Sequence, residues 1–211
     1  MPAADSSLIF LMKKLESAFF TKTVLDMDPS VHIEAAENRE QLADLAMKAP
    51  EGTRLIAFST NVVVPGDVLK RLDYNCINFH PGPPARPGYR PTGFALYEGD
   101  REYGVTAHYM LEKVDSGPIV GVRLFPLAAD AMLVDVVKQS YLELARLFIA
   151  LLPDLAQSRI PLQPNGMEWT GPTSTRAQYE AIRRTPRDLP VSELQKRYRC
   201  FDGIYTPLDD G

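Results

Sequence analysis

Cysteine is scarce in this chain. Cys76 and Cys200 are the two among 211 residues, which argues against a disulfide framework and makes a cytoplasmic location the expectation. Cys76 falls in an expected buried strand, where a free thiol behaves as a small hydrophobe. Long apolar runs are missing too. Residues 8–12 are too short for the core of a signal peptide, and the basic residues follow rather than precede them. The stretch 144–155 is interrupted by Arg146 and Pro153, which excludes a membrane span. Positive charge is not in excess: 23 Lys and Arg against 27 Asp and Glu leave a net charge of −4. That balance is unfavourable for a nucleic-acid partner, whose phosphates need clustered cations. Glycine is absent before Gly52, and no internal repeat or low-complexity tract occurs. What remains, 45% apolar and 24% charged, is ordinary for a globular protein large enough for one domain, or for one domain with an appendage.

Periodicity predicts an α/β chain. Leu8, Leu11, Met12, Leu15 and Phe19 predict an amphipathic helix over residues 7–20. A short strand is expected at 31–35. A helix then starts at Asn38, with Glu40 and Gln41 in its first turn, and breaks at Pro50-Glu51-Gly52. Strands are expected at 55–58 and 76–80, with a proline-opened helix at 65–72 between them. Residues 105–110 and 119–125 alternate as strands, antiparallel neighbours or sheet edges. Residues 133–152 carry helical periodicity suited to covering a sheet face. After Pro153 the composition turns proline-rich, with short helices near 177–183 and 191–198. The expected division is a catalytic domain over 1–155 and a loop-rich extension over 156–211. A helix-first order leaves the doubly wound sheet one parallel strand short. The apolar surface so exposed would suit a homodimer.

Two segments carry the chemistry: Asn78-Phe79-His80-Pro81-Gly82 and Asp115-Ser116-Gly117-Pro118-Ile119. Alternate residues of a strand share a face, so Asn78 and His80 look into one cavity. Pro81 donates no ladder hydrogen bond and ends the strand, which places the pair at a carboxyl end, where open α/β sheets bind ligands. Singly, each residue is ordinary: an Asp before Ser-Gly is usually a turn former, and a strand histidine is usually structural. The chain holds only His32, His80 and His108.

With the loop from Gly82 to Arg90 and the strand Gly104-Val105-Thr106-Ala107-His108, these segments resemble the formyltransferases that use 10-formyltetrahydrofolate. That family acts on glycinamide ribonucleotide, methionyl-tRNA or nucleotide-linked amino sugars. The resemblance implies a Rossmann-like, mostly parallel doubly wound sheet, shortened here at the N-terminus. The family's opening strand and glycine-rich turn, which hold the acceptor's phosphate, have no evident counterpart. It also implies that Asn78, His80 and Asp115 are catalytic. Formyl transfer needs a donor for the oxyanion of a tetrahedral intermediate and an acceptor for the amine's proton. Asn78 offers an amide N–H. His80 either donates to the same oxygen or accepts the proton, and Asp115 orients His80 or relays protons, its charge raising the histidine pKa. No metal is required.

By the same resemblance, Asn61, Val62, Val63 and Val64 would hold the pterin, with Gly117 in the loop closing the other side. Arg90, Thr92 and His108 would face a small-molecule amine acceptor, Arg90 either binding a phosphate or bracing its loop. The segment from Glu193 to Phe201, with Tyr205-Thr206-Pro207, is similar to the closing segment of sugar N-formyltransferases, which suggests a nucleotide-linked amino sugar. Two alternatives stand beside this one: a hydrolase releasing formate, and a non-catalytic folate-binding or regulatory module.

Overall fold

The computed structural model of the chain describes residues 6–186 and 188–201. Its strands are β1 (Ser7–Leu11), β2 (His32–Ala36), β3 (Arg54–Phe58), β4 (Cys76–His80), β5 (Glu102–Tyr109) and β6 (Ile119–Pro126). They form one sheet in the order β2-β1-β3-β4-β5-β6. The first four run parallel, and β5 and β6 add on antiparallel. The helices are α1 (Lys14–Met27), α2 (Arg39–Lys48), α3 (Gly66–Arg71), α4 (Pro91–Glu98), α5 (Leu133–Ala156), α6 (Arg176–Arg183) and α7 (Val191–Cys200). Among the described residues no helix is long and apolar enough to cross a membrane.

The helix expected over 7–20 is replaced by β1 and the start of α1. Every residue of Ser7–Leu11 is buried. As a central parallel strand it is covered on both faces, so it reads as an unbroken apolar run with no period to mark it. The sheet therefore contains the parallel strand expected to be missing, and the surface that a second copy was expected to cover is filled within the chain. Asn38 caps α2 as expected, its side chain accepting from the Gln41 N–H.

Alternation along the strands makes two apolar layers. Leu8, Phe10, Ile56, Phe58, Ile77 and Phe79 pack under α1 and α5, where Phe20 stacks on Phe148 with ring centroids 3.9 Å apart. Ile9, Leu11, Leu55, Ala57 and Cys76 pack under α2 and α3. Burial leaves the Cys76 thiol neutral, with its pKa pushed up to about 12. Arg54, wholly buried at the start of β3, donates to Asn75 Oδ1 (3.0 Å) and to the carbonyls of Asp154 (2.7 Å), Leu155 (3.0 Å) and Ile160. It closes the carbonyl end of α5, a favourable place for a cation.

After α5 the chain runs back across the sheet's carboxyl edge. The N–H groups of Asn165, Thr170 and Ser174 donate to the carbonyls of Ile119 (2.8 Å), Pro84 (3.1 Å) and Pro87 (2.9 Å). A third apolar cluster joins α4, α6 and α7 through Ala95, Leu96, Tyr103, Tyr179, Cys200 and Phe201. The Tyr205-Thr206-Pro207 segment lies outside the described residues.

Candidate active site

Asn78 and His80 follow Cys76 on the same face of β4. Short α3 covers the Cys76 end of that face and leaves the carboxyl end open. In the antiparallel pair β4–β5, Asn78 stands directly opposite His108, and opposed residues of such a pair project to one side. The β5–β6 connection then folds Asp115 over the pair, with Asp115 itself in the left-handed region (φ 47°). Among the described residues, three of the five non-glycine residues with positive φ, Ser59, Arg90 and Asp115, border the same cavity. Such conformations cost about 1–3 kcal/mol each and gather at functional sites.

The Asp115 carboxylate is the hub. Oδ2 accepts the Gly88 backbone N–H (2.8 Å) and lies 3.3 Å from His80 Nδ1. Oδ1 lies 3.2 Å from His108 Nε2 and 3.5 Å from Asn78 Nδ2. Burial alone would raise this carboxyl's pKa. The hydrogen bond from His108 and the charges of the two imidazoles act against burial and prevail, so the net shift is downward.

Proton placement follows from the partners. The Tyr109 carbonyl, 2.7 Å from His108 Nδ1, can only accept, so Nδ1 carries a hydrogen. His108 Nε2 then either accepts from Asn78 Nδ2 at 3.2 Å, when the ring is neutral, or donates to Asp115 when it is charged. His80 faces acceptors on both sides, Asp115 and, at 3.2 Å from Nε2, the Arg86 carbonyl. A neutral ring satisfies only one of them. Asp115 was expected to raise the pKa of His80. It does pull that way, but burial dominates and the neighbouring His108 adds to it, so the net shift is downward.

These side chains line a cavity of about 570 Å³. One wall is the segment after β3, with Asn61, Val62, Val63 and Val64 all facing it, and the other is Tyr89 to Gly93. Thr92 borders it but is buried and hydrogen-bonded to Tyr103 OH (2.9 Å), which itself donates to the Pro81 carbonyl (3.0 Å). Arg90 also borders it, its guanidinium over the rings of Tyr89 (5.8 Å) and Tyr179 (5.4 Å) and within 3.4 Å of the Tyr179 hydroxyl. Gly117 is not among the lining residues. It packs beneath Tyr109, where an added Cβ would stand 2.0 Å from the carbonyl oxygen. At the end of β1, where the resemblance implies a glycine-rich turn, Lys13 lines the cavity instead.

Sequence reading left out three contributors: the Gly88 N–H, the Arg86 carbonyl and Trp169. Gly88 carried a signal. It sits in the proline-rich loop with φ 104° and has no room for a Cβ beside the Ser174 backbone. Trp169, the chain's single tryptophan, carried none. Its ring lies T-shaped against His108 (4.9 Å) and His80 (5.9 Å).

The methionyl-tRNA formyltransferase of Bacillus thuringiensis (strain Al Hakam) is 29% identical over 165 residues, which are 76% of this chain and 52% of the relative. That of Lysinibacillus sphaericus (strain C3-41) is 31% identical over 105 residues, 48% of this chain and 32% of the relative. The chain thus spans about a third to a half of the length of these curated relatives. Among solved structures, a sugar N-formyltransferase from a Shewanella species shares the fold with a TM-score of 0.76 at 18% identity, covering 98% of this chain and 94% of the other. The formyltransferase PseJ from Anoxybacillus kamchatkensis, solved with UDP-4,6-dideoxy-4-formamido-L-AltNAc and tetrahydrofolate, gives 0.65 at 16% identity, covering 83% and 88%. The formyl transferase family model matches residues 13–146, well over half of the sequence, and the chain belongs to that family.

Proposed function

We propose that this protein transfers the formyl group of 10-formyltetrahydrofolate to the amine of a small acceptor, a nucleotide-linked amino sugar. The observation that carries this reading is the Asn78–His80–Asp115 cluster at the end of an open cavity, with His80 and Asp115 buried, Asn78 half-buried, and His80 Nδ1 3.3 Å from the carboxylate. The acceptor's nitrogen attacks the formyl carbon, a new C–N bond forms, and the carbonyl oxygen becomes an oxyanion. An Asn78 N–H meets that charge as it develops. The Asp115–His80 pair takes the amine's proton. Burial keeps His80 ready to accept it, and the carboxylate stabilises the imidazolium that results. Collapse of the intermediate breaks the bond to N10 of the folate, and the pair returns the proton there.

Support for the folate comes from the apolar wall of Val62, Val63 and Val64 and from the tetrahydrofolate with which PseJ was solved. Support for a small acceptor rather than methionyl-tRNA comes from the net charge of −4 and from the Shewanella sugar N-formyltransferase that shares the fold across nearly all of this chain. The test is product analysis with 10-formyltetrahydrofolate and a panel of amino sugar nucleotides. Formylated sugar and tetrahydrofolate in equal amounts support the proposal. Formate release unaffected by any amine would replace transfer with hydrolysis, and no turnover with tight folate binding would leave a binding module.

A further inference from the structure

We propose that Trp169 is a positioning residue that makes the segment after α5 part of the catalytic site. The half-buried indole is T-shaped against both His108 and His80, at centroid distances of 4.9 Å and 5.9 Å and interplanar angles of 88° and 70°. Its Nε1–H donates to the Gly117 carbonyl at 2.9 Å, two residues beyond Asp115. One side chain therefore touches both imidazoles and ties down the turn that carries their shared carboxylate. Gly117 packs so tightly under Tyr109 that this turn has little freedom. The Thr170 N–H bond to the Pro84 carbonyl (3.1 Å) anchors the tryptophan's own segment to the loop after β4.

The physical effect is twofold. An edge-to-face contact with an aromatic ring fixes the orientation of each imidazole, which sets the direction of its hydrogen bonds to Asp115. The indole also helps to shield the buried imidazoles from water, and burial holds the pKa of His80 below its ordinary value. The titratable groups facing the indole are His80 on β4 and His108 on β5, and Asp115 faces both from the β5–β6 connection. Arg86 presents only its carbonyl to His80, its guanidinium being turned to Glu98 and Asp100. The consequence for catalysis rests on the formyl-transfer reading; the positioning does not.

The chain's three histidines make the test direct. Exposed His32 on edge strand β2 is a built-in control, far from the site. Histidine-ring NMR spectra are recorded across pH on the wild type, Trp169→Phe and Trp169→Leu. In Trp169→Leu the His80 midpoint moves upward by about half a pH unit or more as water reaches the ring. The His108 ring signals move with loss of the indole's ring current, and those of His32 stay in place. Trp169→Phe keeps much of the contact but leaves the Gly117 carbonyl without its donor, and falls between the two. It also carries the test if the leucine variant does not fold. The acid limb of the kcat/KM profile follows the His80 midpoint, with a loss of about 10- to 100-fold in Trp169→Leu. His80 and His108 signals identical to wild type in the variants overturn the proposal. Signals that move without any detectable formyl transfer keep the positioning and sink the proposed activity.

Discussion

On the parallel side of the sheet, β3 buries the charge of Arg54; on the antiparallel side, β4, β5 and their connection bury Asp115 between two histidines. Arg54 meets four oxygen acceptors with its N–H groups, and only one arrangement of hydrogens satisfies them. It does not line the active-site cavity and braces the end of α5. Asp115 faces Asn78, His80 and His108, whose hydrogens can be shared in more than one way. A buried polar group with one proton arrangement is a strut, and one with several, opening on a cavity, is equipped to move protons. Both are desolvated and hydrogen-bonded, so burial alone does not separate structure from chemistry.

The comparison can be broken most readily at Asp115. Asp115→Asn removes the charge and keeps the shape, and is expected to lower kcat/KM by about 10²- to 10⁴-fold, the usual contribution of general acid–base catalysis. Calorimetric titration with 5-formyltetrahydrofolate should give an affinity near that of wild type, so that the loss is assigned to proton transfer. Undiminished turnover would make Asp115 a strut as well. Arg54→Met should do the reverse. It leaves buried carbonyls without donors and should cost about 2–4 kcal/mol in urea unfolding, with turnover per folded molecule unchanged. A loss of activity beyond the unfolded fraction would tie the two sides together.

The smallest effect expected is on stability against pH. His80 is held below its ordinary value of 6.5 in the fold. As pH falls through 6.5 the unfolded chain takes up a proton that the folded chain resists, and stability drops until the folded value is reached. Asp115, also held below its ordinary 3.8, adds a second loss as pH falls below that value. Arg54, with a pKa of about 10, stays charged throughout and contributes no slope. His80→Gln should remove the first step from a series of urea midpoints, and an unchanged series would place the step elsewhere.

Much of this was legible in the residues. β4 was read with its observed bounds because Pro81 marks its end, and Asn78 and His80 share a face because a strand's period is two. The antiparallel β5 and β6 and the covering helix α5 were legible from their periodicities. Where periodicity failed, a physical reason is visible. β1 is buried on both faces and has no polar side to mark its period. α4 begins Pro91-Thr92-Gly93 behind a left-handed Arg90, a run that local propensity assigns to a loop.

The sequence by itself determined which chemistry was on offer: an amide and an imidazole at one strand end, a carboxylate on a turn, and no metal-ligand pattern among the cysteines. Tertiary structure alone decided that His108 joins Asp115 rather than only bordering the acceptor, that Gly117 lies under Tyr109 and outside the cavity, and that Trp169 closes the group. The reason is range. Strand periodicity and turn chemistry are set by neighbours a few residues apart, whereas Asn78 meets Asp115 across 37 residues and Trp169 meets Gly117 across 52. Contacts at that separation exist only once the sheet has brought the segments together.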